Sequence, residues 1–380
     1  MIRPRFFYEL LQSKGITYAV GVPDSLLKHY CAYAYDRGQQ TIAANEGGAV
    51  ALAAGYHLAT GNIPMVYMQN SGFGNIVNPL TSLLDTEVYS IPMLFLVGWR
   101  GEPGTSDAHQ HHKQGRVMEP LLEALEVPYA HLSTREEEVD AQLEEALEFM
   151  RTDSTPYVLL VSRGTFSPYT LTDIRQTDSL PLTREKALEL LLPFLGDKDV
   201  IVSTTGKTSR ELFELRERNN EGHHRDFLTV GSMGHASQIA LGIALQKPDR
   251  TVVCIDGDGA ALMHLGSLAI IGQEAPQNYR HILINNGAHD SVGGQPTAGF
   301  EVDFGKIARG CGYRNCFRAD NKERLQEQMT KLLSAEGPAL LEIVIRCGAR
   351  SDLGRPTISP VENKERVMTF LQKQESPDHE

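Results

Sequence analysis

One tryptophan, five cysteines and a shortage of positive charge are the scarcities of this 380-residue chain. The cysteines (Cys31, Cys254, Cys311, Cys316 and Cys347) form an odd, scattered set. That excludes a disulfide-stapled scaffold and leads us to expect reduced thiols in the cytoplasm. Cys311 and Cys316 lie close together, but no second Cys/His pair completes a zinc set around them. Lys and Arg number 36 against 48 Asp and Glu, a formal charge of −12. Phosphate contacts need clustered cations, so neither nucleic acid nor an anionic membrane is expected as a partner. No run of about 18 uncharged apolar residues offers a membrane-spanning helix. The opening Met1-Ile2-Arg3-Pro4-Arg5-Phe6-Phe7 lacks the apolar core of a secretory signal.

Three common catalytic or nucleotide loops are also missing. Gly206-Lys207-Thr208 looks like the end of a phosphate-binding P-loop, but Ile201 stands where its first glycine is required. Gly257 and Gly259 are followed by Leu262 where a dinucleotide fingerprint needs a third glycine. Neither Ser71 nor Ser232 sits in a Gly-x-Ser-x-Gly nucleophile turn.

What is present is an alternation of short apolar runs with helical patterns, in a chain that is 41% hydrophobic and 22% charged. Strands are expected at 17–22, 65–69, 93–97 and 157–162, and again at 200–203, 227–230, 251–255, 281–285 and 339–345. Helices are expected between them, at 46–60, 135–150, 209–218, 235–246 and 322–334. This rhythm predicts an α/β protein with two doubly wound, largely parallel sheets. Residues 1–165 form the expected first domain, 166–182 a linker with Pro168 and Pro181, 183–372 the second domain, and 373–380 a mobile tail.

The apolar run Thr251-Val252-Val253-Cys254-Ile255 ends in Asp256-Gly257-Asp258-Gly259-Ala260. After a further 25 residues the next strand ends in Asn285-Asn286-Gly287. A carboxylate and an amide at the carboxyl ends of two strands can converge on one hard cation, at the edge where open α/β sheets bind ligands. Mg²⁺ takes six oxygens and commonly shares them with a substrate's phosphates, so such a pair leaves room for a diphosphate. Gly257 and Gly259 allow close backbone approach, and a helix opening near Ala260 offers N–H groups to phosphate oxygens.

This paired pattern resembles the signature of the thiamine diphosphate-dependent decarboxylases. The resemblance implies thiamine diphosphate and Mg²⁺ as cofactors, with Asp258, Asn286 and the Ala288 carbonyl as metal ligands. Thr205 and Gly206 are expected beside the cofactor. The stretch Asn45-Glu46-Gly47-Gly48-Ala49-Val50 is similar to the family segment whose glutamate acts on the aminopyrimidine ring, which assigns that role to Glu46. Gly231-Ser232-Met233-Gly234 is similar to the segment that bends the cofactor; Met233 would lie beneath it and the Gly231 carbonyl would face its exocyclic amine. The first domain then binds the pyrimidine and the second the diphosphate, and the middle domain of several relatives, which carries FAD in some, is missing. Glu46 and Asp258 lie in different halves, so the resemblance implies self-association, with the active site between subunits of a dimer or larger assembly.

Longer stretches narrow the resemblance to the phosphonopyruvate decarboxylases. They are 21–28, 69–75, 98–104, 205–212, Arg350-Ser351-Asp352-Leu353-Gly354-Arg355-Pro356-Thr357, and His289-Asp290-Ser291-Val292-Gly293-Gly294-Gln295-Pro296-Thr297. The implied reaction converts 3-phosphonopyruvate, a small phosphonate 2-oxo acid, to 2-phosphonoacetaldehyde and CO₂ in phosphonate biosynthesis. Sulfopyruvate decarboxylase is the nearest alternative, and an acetolactate-synthase-type carboligase a more distant one. Asp24, Ser25, Asn70 and His111 are candidates for proton handling or carboxylate contact. His109 and His112 beside His111 depart from the family's usual residues. An acidic protein that binds a phosphonate must gather cations locally, and arginine forks onto phosphorus oxygens. Arg350 and Arg355 are the first candidates, followed by Arg100, Lys113 and Arg116, with Gly293 and Gly294 as a backbone N–H nest.

Overall fold

A computed structural model describes residues 1–38 and 40–373. Apart from Lys373, the expected tail at 373–380 lies outside the described residues. The chain divides into two compact units, one of residues 1–174 with 291–295, the other of 175–290 with residues from 296 onward.

The first unit holds strands β1 (Ala19–Gly21), β2 (Gln40–Ile42), β3 (Met65–Gln69), β4 (Leu94–Gly98), β5 (Tyr129–His131) and β6 (Tyr157–Val161). They form one sheet in the order β2-β1-β3-β4-β6-β5, with every neighbouring pair parallel. The strands are apolar on both faces because both are covered, the usual condition of a parallel sheet. Met65, Tyr67, Leu94, Leu96 and Leu159 face the helices Pro4–Ser13, Lys28–Asp36 and Glu136–Asp153. Val66, Met68, Phe95, Val97 and Leu160 face Glu46–Thr60 and His109–Ala124. The beginning of the 166–182 segment is held to this unit. Ile2 bridges Phe166, the Tyr169 hydroxyl donates to Asp36 at 2.8 Å, and the Thr172 backbone N–H donates to the same carboxylate at 3.0 Å.

The second unit repeats the plan with β7 (Val200–Ser203), β8 (Asp226–Leu228), β9 (Val252–Gly257), β10 (Tyr279–Asn285), β11 (Asn315–Ala319) and β12 (Ala339–Val344). Its order is β11-β12-β10-β9-β7-β8, again all parallel. Counted from its own first strand, this is the same strand order as in the first unit. Ile201, Val253, Ile255, Ile282, Ile284 and Leu341 pack under Arg184–Leu191, Lys207–Arg218 and Lys322–Ser334. Val202, Val252, Cys254, Tyr279 and Leu340 pack under Ala236–Gln246, Ser267–Glu274 and Phe304–Gly310.

The shared order fixes where ligands can sit. In each sheet the chain winds away in opposite directions from one central pair, β1/β3 and β7/β9. Crevices open at the carboxyl ends of such a pair. The first expected strand is shorter than its apolar run, at 19–21 rather than 17–22, and β9 runs two residues further than expected, into Gly257. Three strands were not expected: β2, β5 and β11. Each is an edge strand with one neighbour, is only partly buried, and carries polar residues that blur any apolar run.

Candidate active site

At the β1/β3 crevice of the first unit, Asp24 and Ser25 follow β1 and Asn70 follows β3. Asp24 is fully buried. Its Oδ2 accepts from the backbone N–H of Leu26 at 2.8 Å and of Leu27 at 3.2 Å, and its other oxygen accepts from Gln69 Nε2. Burial raises its carboxyl above the ordinary range, against the pull of these hydrogen bonds. A Cβ on Gly98 would lie 2.1 Å from Asp24 Oδ2, so β4 ends in a residue with no side chain. Beyond it, Arg100 exchanges two hydrogen bonds with Asn70: the Asn70 amide donates to the Arg100 carbonyl at 2.8 Å, and the Arg100 N–H donates to Asn70 Oδ1 at 3.1 Å. The Arg100 guanidinium donates to Ser25 Oγ at 2.8 Å and grips Asp107 with two nitrogens. Burial opposes ionisation of Asp107, but hydrogen bonds from Arg100 and the Ala108 N–H hold its carboxyl well below the usual range. Arg100, a candidate for the substrate anion, is thus already paired inside the protein.

Glu46 opens the helix that follows β2. Asn45 caps this helix, its Oδ1 accepting from the Gly48 N–H at 2.8 Å. The Glu46 side chain is buried, and its Oε2 accepts from Asn75 Nδ2 at 2.7 Å. A Cβ on Gly72 would sit 2.2 Å from Glu46 Oε1, so this carboxylate keeps its place only while residue 72 is glycine. His111 is buried near the start of His109–Ala124, with its backbone against Gly101, while His112 Nε2 lies 2.8 Å from the Asp107 carbonyl oxygen. Lys113 and Arg116 on the same helix are exposed. Gly293 and Gly294 both have positive φ, 138° and 83°; an N–H nest alternates right- and left-handed residues, so these two dihedrals alone do not build one.

In the second unit the equivalent crevice lies between β7 and β9. Thr205 and Gly206 follow β7, and Gly206, with φ +92°, turns the chain into Lys207–Arg218. Gly231 and Met233 follow β8, the position that corresponds to Glu46 in the first unit. Positive φ at Ser232 (51°) and Gly234 (84°) folds the chain tightly around a half-buried Met233. Asp258 follows β9 directly and starts the short helix Asp258–Met263, which includes Gly259 and Ala260; Gly257 is its N-cap. Asn286 follows β10, and the β9/β10 register pairs Ile284 with Gly257, which brings the two ends level.

Asp258 is 2% exposed. Its carboxylate accepts from the Thr297 hydroxyl and, at 3.4 Å, from the Asn286 N–H, and it forms no ion pair among the described residues. Burial lifts its carboxyl to about 6, hydrogen bonds notwithstanding. Asn286 donates from Nδ2 to Asp290 Oδ2 at 2.8 Å, and its Oδ1 accepts from the Ala288 N–H at 3.1 Å. A Cβ on Gly299 would come within 2.4 Å of Asp258 Oδ2. The donors are therefore oxygens, and the buried carboxylate has no ion-pair partner among the described residues. That chemistry fits a hard divalent cation held by Asp258, Asn286 and a loop carbonyl.

Asp290 and Thr297 hold this arrangement, and sequence reasoning gave neither a role. Asp290 also accepts from Arg184 Nη1 at 3.3 Å, and Arg184 in turn makes a two-pronged contact with buried Glu211. The one sequence signal was position, since both residues lie in the run 289–297. Of the remaining anion candidates, Arg350 is engaged by three carboxylates, those of Glu185, Glu214 and Asp352. Arg355 is exposed and has no ion pair among the described residues.

Residues 5–138 match the family model described as thiamine pyrophosphate enzyme, N-terminal TPP binding domain, and residues 204–343 match the corresponding C-terminal TPP binding domain. A phosphonopyruvate decarboxylase of Streptomyces viridochromogenes is 35% identical, over 95% of this chain and 93% of its own. One of Streptomyces hygroscopicus is 37% identical over 95% and 92%. A sulfopyruvate decarboxylase of Methanosarcina acetivorans is 28% identical over 96% of each chain.

Proposed function

The chain belongs to the thiamine pyrophosphate enzymes, is a thiamine diphosphate-dependent carboxy-lyase, and, we propose, acts on 3-phosphonopyruvate, releasing CO₂ and 2-phosphonoacetaldehyde. The observation that carries the choice of substrate is likeness along nearly the whole chain to two phosphonopyruvate decarboxylases at 35% and 37% identity. Sulfopyruvate is the second reading, supported by the full-length likeness at 28%. A place in phosphonate biosynthesis, in the cytoplasm, belongs to the same proposal; the five free cysteines suit that compartment.

Thiamine diphosphate supplies, when bound, the nucleophilic carbon and the electron sink that loss of CO₂ requires. We assign the pyrimidine to the domain 1–165 and the diphosphate to 183–372. Asp258, Asn286 and the Ala288 carbonyl would hold Mg²⁺, and Thr205, Gly206, Gly257, Gly259 and Ala260 would line the diphosphate. Met233 and the Gly231 carbonyl would support the ring system. Glu46, kept in position by Asn75 and the bare Gly72, would hydrogen-bond the aminopyrimidine nitrogen. Asp24, Ser25, Asn70 and His111 would hold the substrate carboxylate or carry a proton to the product carbon. Arg355 would receive the phosphonate, and Arg100 would orient Ser25 and Asn70 rather than bind the anion itself. Glu46 and Asp258 stand in separate units, and we propose that the working site forms between subunits of a homodimer or larger assembly.

The test compares aldehyde and CO₂ release from phosphonopyruvate, sulfopyruvate and pyruvate, with and without thiamine diphosphate and Mg²⁺. Higher kcat/KM on phosphonopyruvate is expected. Higher kcat/KM on sulfopyruvate would transfer the assignment to the sulfonate.

A further inference from the structure

Under the helix Ala236–Gln246, on the face of the second sheet that packs against it, lies a polar cluster to which the decarboxylase chemistry gives no task. Cys254 and Asp256 alternate along β9 and so share one face, and His281 on β10 is in register with Cys254. All three are buried, at 0%, 1% and 1% exposure. Their potential ligand atoms lie within 4.8 Å of one another, the one such group of three among the described residues.

Two of these atoms have no hydrogen-bond partner: Asp256 Oδ2 and His281 Nε2. They face each other at 3.7 Å, beyond hydrogen-bonding range. Polar atoms that are buried with no partner lose their hydration without a bond to replace it. The other nitrogen of the same ring, Nδ1, is occupied at 3.1 Å by the Tyr313 hydroxyl. Histidines that bind metal through one nitrogen are commonly fixed in this way through the other.

We propose that Cys254, Asp256 and His281 form a structural site for a thiophilic divalent cation of the Zn²⁺ class, separate from the Mg²⁺–diphosphate site. His281 binds through Nε2, with Nδ1–H donated to Tyr313, and a water completes four-coordination. An oxygen and a nitrogen donor on a tetrahedral ion with bonds of about 2.0–2.2 Å stand roughly 3.3–3.6 Å apart, so the 3.7 Å between Asp256 and His281 needs to close only slightly. A thiolate, a carboxylate and a neutral imidazole around M²⁺ sum to zero charge, the condition for placing an ion inside an apolar core. The thiol proton leaves to solvent on binding. In the absence of a cation, burial keeps Cys254 protonated, so occupancy by a metal with little affinity for sulfur is disfavoured.

The experiment uses the full-length protein without a histidine tag, stripped with a chelator and reloaded with Mg²⁺ and thiamine diphosphate, then titrated with Co²⁺. Binding of about one Co²⁺ per chain is expected, with an intense thiolate-to-cobalt charge-transfer band in the near ultraviolet that Zn²⁺ displaces. Cys254→Ser should abolish the band, and Asp258→Asn should keep it. Absence of Co²⁺ binding, or binding without the thiolate band in the wild-type protein, overturns the proposal and leaves Asp256 and His281 as buried polar neighbours without a ligand. The wild-type spectrum decides the matter even if the Cys254 variant fails to fold.

Discussion

The side-chain nitrogen of Asn286 donates a 2.8 Å hydrogen bond to Asp290 Oδ2, and this bond decides which way the amide faces. With Nδ2 taken by a carboxylate, Oδ1 is the atom left to accept, as it does from the Ala288 N–H at 3.1 Å. Asp290 is held by Arg184 and by the Gly348 N–H at 3.1 Å, so it is itself a fixed point. Asp290→Ala is expected to weaken Mg²⁺ binding by about 10–100-fold, the usual cost of losing a partner that orients a ligand. Mg²⁺ titration of cofactor binding, followed by intrinsic fluorescence, checks this. An unchanged Mg²⁺ affinity would remove Asp290 from the site.

Glu46 and Gly72 form a second coupled pair. Glu46→Gln should lower turnover by ~10²–10⁴-fold while thiamine diphosphate still binds. Gly72→Ala puts a methyl where the Glu46 carboxylate stands, and displacing that group by about an ångström should cost ~10²-fold in kcat. Steady-state rates beside cofactor dissociation constants separate lost chemistry from lost binding.

Acid should act on the Arg100–Asp107 pair. The folded protein holds the Asp107 carboxyl below its ordinary 3.8, so its ionisation stabilises the fold at every pH above that value. Below about pH 4 the unfolded chain's carboxylate takes up a proton while the folded one is still ionised. The contribution therefore fades progressively as pH falls toward the lowered value of the folded state. Asp107→Asn should therefore lower Tm at pH 7, and the gap between variant and wild type should narrow at pH 3–4. A gap that stays constant with pH would show that the charge of Asp107 is irrelevant.

The two C-terminal arginines should behave differently. Arg355→Ala is expected to raise KM for the phosphonate substrate by roughly 10–100-fold, the value of a charge-assisted contact, with kcat little changed. Arg350 is spent on Glu185, Glu214 and Asp352, so Arg350→Ala should lower Tm rather than raise KM. The reverse pattern in KM would make Arg350 the anion-binding residue.

The two parallel sheets were legible because their central strands, such as Leu94–Gly98 and Tyr279–Asn285, are apolar on both faces and stand out as runs. The edge strands were not. Gln40–Ile42 and Asn315–Ala319 owe their conformation to a single neighbour, and nothing in three to five half-exposed residues announces that neighbour. The cofactor family was legible through Gly257-Asp258-Gly259 and Asn285-Asn286, where chemistry restricts both residue type and spacing. The supports were hidden. Thr297 reaches Asp258 from 39 positions away, and Arg184 reaches Asp290 from 106, contacts that only the folded chain creates. Pairing also removes charge that composition counts: Arg100 and Arg350 look like free cations in the sequence and are neutralised in the fold.

The register that pairs Ile284 with Gly257 has an implication for how this chain can change over time. Successive strand residues point to opposite faces, so losing one residue within Tyr279–Asn285 would turn every later side chain of that strand over and carry Asn286 out of step with Asp258. The turns on either side of Ser267–Glu274 belong to the connection, where a lengthened or shortened segment can be absorbed without moving either strand end. Drift in length is therefore expected to collect in the crossover, while the two strands it joins keep their count.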